Sequence, residues 1–287
     1  MERHGPVRPA SGALAAAVLG LVLGGLGFTI VSQAAPLWRQ PAHTKPNAIP
    51  VDVELVLAVD VSFSMTRHEQ VLQREGYRLA LTSKEFLQAL RGGAYGRIAV
   101  TYVEWAGRFD QHVILPWRLI EGPESADAVA AELGRAPYQR AARTSISAAL
   151  NFAQGLFATS GYRGVRRIID ISGDGPNNSG GPVAPMRDVV VTNGIIINGL
   201  PLMIHHPSRG TDDAAHLDWY YKDCVTGGAG SFVVAVRGPE QFVQATRRKM
   251  VLEVAGRTPK ARVIRVSARR PRISCLLGDI YQPGGTP

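Results

Sequence analysis

Residues 53–65 read VELVLAVDVSFSM, and the fold turns on how this stretch is understood. Val53, Leu55, Val56, Leu57, Ala58 and Val59 make a near-continuous apolar run, the pattern of a strand covered on both faces of a parallel sheet. Such a strand belongs at the centre of its sheet. Asp60, Ser62 and Ser64 follow at alternate positions, so in a chain still extended as it leaves the strand their oxygens point to one side. Carboxylate and hydroxyl oxygens, with no thiolate or imidazole among them, suit Mg²⁺, Mn²⁺ or Ca²⁺ better than zinc or copper. The position is apt, because open parallel sheets gather their ligands in the crevice outside the carboxyl ends of the strands.

Downstream, apolar residues at helical spacing predict a single helix over residues 67–90 that closes at Gly92-Gly93. A strand follows at 98–103, and a short one at 113–117 lies close enough to form a hairpin with it, giving an antiparallel edge. Ser125 is suited to cap a helix running to Leu133, and Thr144 or Ser145 starts another through Phe157. Strands at 165–171, 195–200 and 231–236 then alternate with helices at 185–193 and 239–254. The glycine run at 227–230 lacks the Lys-Ser/Thr of a phosphate loop and precedes a strand, so it reads as a turn.

Asp-x-Ser-x-Ser at the end of an apolar strand resembles the metal-ion-dependent adhesion site (MIDAS) of von Willebrand factor A (vWA) domains. That family supplies a Thr from a second loop and an Asp from a third. The matching positions are Thr144 in ARTSISAAL and Asp174 in IIDISGDGPNN. The wider wording, with LQREGY, IAVTYVEWAG, SGDGPNN, INGLP and a Tyr-Tyr followed by a Gly-rich turn, is similar to the bacterial DUF1194 branch of the superfamily over roughly residues 51–255. The resemblance implies an α/β three-layer sandwich with a mostly parallel, doubly wound, Rossmann-like central sheet and one antiparallel edge strand. It also implies a Mg²⁺ (or Mn²⁺/Ca²⁺) site formed by Asp60, Ser62, Ser64, Thr144 and Asp174, whose open position takes an Asp or Glu of a protein partner.

Three other residues fall near that set. Asn177 and Asn178 offer amide groups to a ligand or, equally, turn-forming backbone. Glu104, ending the second strand, would either touch metal-bound water or join a buried hydrogen-bond network, since buried carboxylates are normally paired. Two rival functions use the same carboxylates: a metal-dependent hydrolase, and a module whose metal only braces loops. The chain has no HExxH and no Cys/His cluster at zinc spacing, His205-His206 standing alone in a Pro-flanked loop, and Ser145 and Ser147 belong to no nucleophile motif. The expectation is therefore a binding module and not an enzyme.

The net charge of +9 is unevenly spread: residues 256–287 carry +6, residues 1–34 carry +1, and residues 35–255 only +2. A nearly neutral domain argues for no particular partner. The basic tail has no aromatic residue among its arginines, which speaks against stacking on nucleic acid, and it reads as a solvated extension. Residues 1–34 pair a basic start with an uncharged Leu/Ala/Val/Gly stretch ending in Ser32-Gln33-Ala34, a signal peptide cleaved after Ala34 or, alternatively, an uncleaved inner-membrane anchor. Either puts the domain on the outer side, in the periplasm or otherwise exported. Residues 35–50 read as a linker, 51–255 as the domain and 256–287 as the tail. Cys224 and Cys275, the only cysteines, would in that compartment have one intramolecular pairing open to them, closing a loop of about 50 residues. The alternative is a buried Cys224 packed as a small apolar residue and a free Cys275.

Overall fold

A computed structural model describes residues 46–204, 216–256 and 272–278. The leader, residues 35–45 of the linker, His205-His206 and most of the basic tail lie outside the described residues. Among the described residues no helix is long and apolar enough to cross a membrane.

The apolar run forms β1 (Ile49–Asp60), buried without interruption from Val51 to Asp60. The remaining strands are β2 (Ile98–Trp105), β3 (Gln111–Ile120), β4 (Tyr162–Gly173) and β5 (Ile195–Pro201). Their order is β3-β2-β1-β4-β5, with β1 at the centre as its two-sided burial requires. β1 pairs in parallel with β2 and β4, β4 with β5, and only β3 runs antiparallel. β3 carries Pro116, which the ladder tolerates because this is an edge strand. The pairing shifts register opposite Thr101, whose hydroxyl donates to Leu115 O at 2.7 Å.

Alternate residues of β1 feed two separate cores. Val53, Leu55, Leu57 and Val59 pack beneath α1 (Arg67–Leu81), α2 (Lys84–Arg91), α3 (Pro123–Arg135) and α7 (Phe242–Ala255). Val56 and Ala58 pack beneath α4 (Ile146–Leu156), α5 (Val183–Thr192) and α6 (Leu217–Tyr220). These are the three layers of the expected α/β sandwich, and the period-2 alternation of a strand produces them directly.

Three local expectations are corrected. The helix expected over 67–90 is broken into α1 and α2, because Ser83 accepts from Phe86 N at 3.3 Å and donates to Ala80 O at 2.8 Å, ending one helix and capping the next. Ser125 is not the cap of α3. It sits inside the first turn and reaches back to accept from Glu121 N and Gly122 N at 3.0 and 3.1 Å, while Pro123 opens the helix. The segment expected as a strand at 231–236 is not a continuous one. It follows β5 through bonds such as Gly199 N to Phe232 O and Val236 N to Pro201 O, with only isolated bridges.

Candidate metal centre

Four of the five expected ligands form one continuous row at the carboxyl end of the sheet. Asp60 Oδ1 accepts from Ser62 N at 2.7 Å, Ser62 Oγ lies 2.8 Å from Ser64 Oγ, and Ser64 Oγ donates to Asp174 Oδ1 at 2.8 Å. The loop that holds the serines is tied at both ends. Met65 N donates to Ser62 O, and Thr66 caps α1 in a reciprocal box with Glu69.

Thr144 is set in place by its backbone. Thr144 N donates to Asn178 Oδ1 at 2.8 Å and Asn178 N returns a bond to Thr144 O at 2.8 Å, fastening the second loop to the third. The second loop is also fastened to the first, through Ala141 N to Val61 O and Arg140 Nη2 to Phe63 O. Just before Thr144, Arg143 takes a left-handed backbone at φ 74°, an unfavourable turn for a non-glycine residue that these cross-loop bonds hold.

The two asparagines serve the scaffold. Asn177, 1% exposed, accepts from Ser147 N through Oδ1, donates to Gly181 O through Nδ2, and its own N–H donates to Tyr220 Oη. Its side chain thus stitches the third loop to the start of α4, as Asn178 does to Thr144. Glu104 is buried in an ion pair with Arg74, which also donates to Ala136 O and Pro137 O and stacks on Tyr138. Of its two expected roles, the buried network is the one the geometry shows. Burial raises the Glu104 carboxyl above its ordinary value, and Arg74 opposes the shift.

One oxygen of the row is conspicuously bare. Asp60 is fully buried, and its Oδ2 has no hydrogen-bond partner among the described residues. Burial pushes its carboxyl well above the usual range, the nearby charge of Asp174 adds to this, and the bonds from Ser62 partly offset it. Beside it stands Tyr221, whose buried Oη is likewise without a partner among the described residues. Both atoms depend on Gly173: a Cβ there would lie 2.9 Å from Asp60 Oδ2 and 2.8 Å from Tyr221 Oη. Tyr220 and Tyr221 are not among the expected site residues, and the signal for them is the Tyr-Tyr pair in the wording shared with the DUF1194 branch.

A bare, buried carboxylate oxygen beside hydroxyl donors and a second carboxylate makes an all-oxygen donor set of the kind that suits a hard cation. Among the described residues no three His, Cys, Asp or Glu side chains converge as ligands, so any cation here would rest on two carboxylates and on hydroxyls.

A family model described as "Protein of unknown function (DUF1194)" matches residues 50–258. No curated protein matches the chain. Among solved structures, proximal thread matrix protein 1 from the mussel byssus is similar with a TM-score of 0.53 and 11% identity, over 72% of this chain and 49% of that one. The same mussel protein with a zinc-occupied MIDAS motif aligns with a TM-score of 0.50 and 12% identity, over 72% and 49%. The pilus adhesin SpaC from Lactobacillus rhamnosus GG aligns with a TM-score of 0.52 and 12% identity, over 73% of this chain and 31% of that one. This chain spans half or less of the length of each, and at such identities the likeness is one of fold.

Proposed function

The chain belongs to the DUF1194 family, and from that premise and the oxygen row we propose that it is an exported, non-enzymatic module that captures an acidic group of a protein partner through a divalent cation. The carrying observation is the continuous Asp60, Ser62, Ser64, Asp174 row ending on the bare Oδ2 of Asp60. Asp60, Ser62, Ser64, Thr144 and Asp174 would hold Mg²⁺, or Mn²⁺ or Ca²⁺ in its place. Bound there, the cation supplies an electrophilic position that a partner's carboxylate completes.

The residues of the chain divide the remaining work. Asp60 brings negative charge from inside the fold, where no solvent competes for it. Ser62 and Ser64 keep the first loop turned toward Asp174. Asn177 and Asn178 keep the second and third loops in step and fix the backbone of Thr144. The fold shared with an adhesin and with a byssal matrix protein supports binding over catalysis. The bonded pair of Cys224 and Cys275 supports export, since disulfides persist in oxidising compartments.

Calorimetric titration with Mg²⁺, followed by capture from envelope extracts with and without EDTA, tests this reading. The Asp60→Ala chain is expected to lose roughly a hundredfold or more in cation affinity, given that even groups behind metal ligands are worth about 10–100-fold. Its metal-free stability should change little, because relief of a buried carboxylate whose Oδ2 lacks a partner offsets the loss of the bond from Ser62 N to Oδ1. Partner capture that survives EDTA would count directly against the proposal.

A further inference from the structure

The rim of the row is dressed in a way that the cation alone does not require. Phe63 stands between Ser62 and Ser64 and is 60% exposed, and Phe109, in the turn between β2 and β3, is 85% exposed. They are the two exposed phenylalanines among the described residues, and neither contributes to either core. Each is paired with an exposed arginine: Arg140 lies 5.4 Å from the Phe63 ring, and Arg108 lies 5.2 Å from that of Phe109. Arg143, also exposed, precedes Thr144.

These side chains come from separate loops that pack against one another around the row. Gly107 approaches the second loop so closely that a Cβ would meet Ala142 O at 2.7 Å and Arg143 Cβ at 3.6 Å. A Cβ on Gly180, in the loop after Asp174, would lie 3.8 Å from Arg108 Cγ. Arg140 donates to Phe63 O at 2.7 Å. Apart from Asp174, the acidic side chain in these rim segments is Asp110, and its carboxylate folds back on Gly107.

Resting on the cation-dependent reading above, we infer that Phe63, Phe109, Arg108, Arg140 and Arg143 form a selective rim for an extended acidic segment of a protein. In that segment an apolar or aromatic side chain neighbours the carboxylate that completes the cation. The arginines complement further carboxylates along the segment. The two rings offer apolar surface to the intervening side chains. Exposed arginine and aromatic groups around a central anchor are the composition that dominates protein-binding surfaces. A uniformly charged sugar polymer would use the arginines and leave both rings wet, whereas a phosphatidylglycerol surface would take up the rings but present phosphate in place of the carboxylate that completes the cation.

Two synthetic twelve-residue peptides of equal charge test this, one alternating Glu with Phe and the other Glu with Gly. Binding is read by fluorescence anisotropy at saturating Mg²⁺, with polygalacturonate and vesicles of anionic phosphatidylglycerol as competitors. The Phe peptide should bind at least about tenfold more tightly than the Gly peptide. A chain carrying Arg108→Gln and Phe109→Ser should lose most of that advantage while its Mg²⁺ affinity, measured without peptide, stays at the wild-type value. Failure of the wild type to bind either peptide with Mg²⁺ present, equal binding of the two, indifference of the variant, or stronger binding of the polymer or vesicles than of the Phe peptide would each overturn the rim. No Mg²⁺ uptake by the wild type would instead remove the reading on which it rests.

Discussion

The Lys249→Met chain is expected to lose about 3–5 kcal/mol of folding stability at pH 8, the usual cost of breaking a buried ion pair by removing one partner. Lys249 on α7 is fully buried, and its Nζ lies 2.6 Å from Asp170 Oδ2 on β4 and 2.6 Å from Glu253 Oε1 one turn along the helix. The contact with Asp170 is ionic and lies off the hydrogen-bonding direction, whereas Glu253 accepts a bond from Lys249 and a second, at 3.0 Å, from Asn198 Nδ2. Tyr77 Oη donates to Asp170 Oδ1 at 3.3 Å. Methionine matches the length of the lysine stem, so packing is largely kept and the loss is electrostatic. Two carboxylates would then share a dry space without a counterion. Urea unfolding in EDTA at pH 8 and pH 5 measures the effect, which should shrink at the lower pH as Glu253 takes up a proton. A loss below about 1 kcal/mol at pH 8, the scale of an exposed ion pair, would mean that the cluster is solvated.

The wild-type protein carries a milder form of the same tension. One ammonium cannot neutralise two carboxylates, and burial, followed by the charge of Asp170, raises the Glu253 carboxyl to about 7, against the pull of Lys249 and Asn198. A carboxyl whose pKa is higher in the folded chain than the ordinary 4.5 binds its proton more tightly when folded. Its contribution to stability is therefore fully present below about pH 4.5 and is lost as the pH rises through about 7, a loss of roughly 3 kcal/mol across the window. The Glu253→Gln chain, neutral throughout, should lack this component. Subtracting its pH profile of unfolding free energy from that of the wild type isolates the effect, and a flat difference between pH 5 and pH 8 would refute it.

What was legible in the sequence follows from how local each cause is. The β1 run announces a two-sided strand because every residue from Val53 to Val59 obeys one environment. The grouping of Asp60, Ser62 and Ser64 survives by another route than the expected extended exit: the chain turns after Ser62, with Met65 N bonded to Ser62 O, and the turn brings Ser64 Oγ to Ser62 Oγ. Thr144 and Asp174 have no such local mark, and only the family resemblance put them with the first loop. The break at Ser83 is a contest between one hydroxyl and a helix pattern that continues on both sides, which apolar spacing cannot decide. The Asp170, Lys249 and Glu253 cluster was hidden for a different reason. Lys249 and Glu253 look like an ordinary exposed pair one turn apart, and only the sheet brings Asp170 beneath them. A signal did exist: the segments IIDIS and INGLP that carry the resemblance contain Asp170 and Asn198, polar residues embedded in otherwise apolar stretches.

Opening the bond between Cys224 and Cys275 is expected to cost about 4 kcal/mol, the chain-entropy value for a loop of this length. The two are bonded with their Cα atoms 5.4 Å apart across a separation of 51 residues. Of the two arrangements open at the outset, paired cysteines or a buried Cys224 with a free Cys275, the structure has the first. Cys224 is fully buried beside Tyr221, and the tail reaches it along a docked path: Ile273 N donates to Asp223 Oδ2 at 3.2 Å, while Ile273, Cys275 and Leu277 pack on the core under α4 and α5. At Gly278 the tail lies against the site. Gly278 sits so close to the peptide between Asn177 and Asn178 that a Cβ would lie 1.8 Å from Asn177 O. Because that same pair of asparagines sets Thr144 and Ser147, releasing the tail should loosen the third loop as well as lower global stability. Urea unfolding of the Cys275→Ser chain, with the wild type measured with and without dithiothreitol, gives the first quantity, and Mg²⁺ titration of the same samples gives the second. The expected pattern is a destabilisation common to the variant and the reduced wild type, with cation affinity reduced in both. Two free thiols on denatured, unreduced wild-type protein would show that the bond does not form. An intact bond whose loss leaves the Mg²⁺ affinity unchanged would show that the tail braces the fold without reaching the row of oxygens.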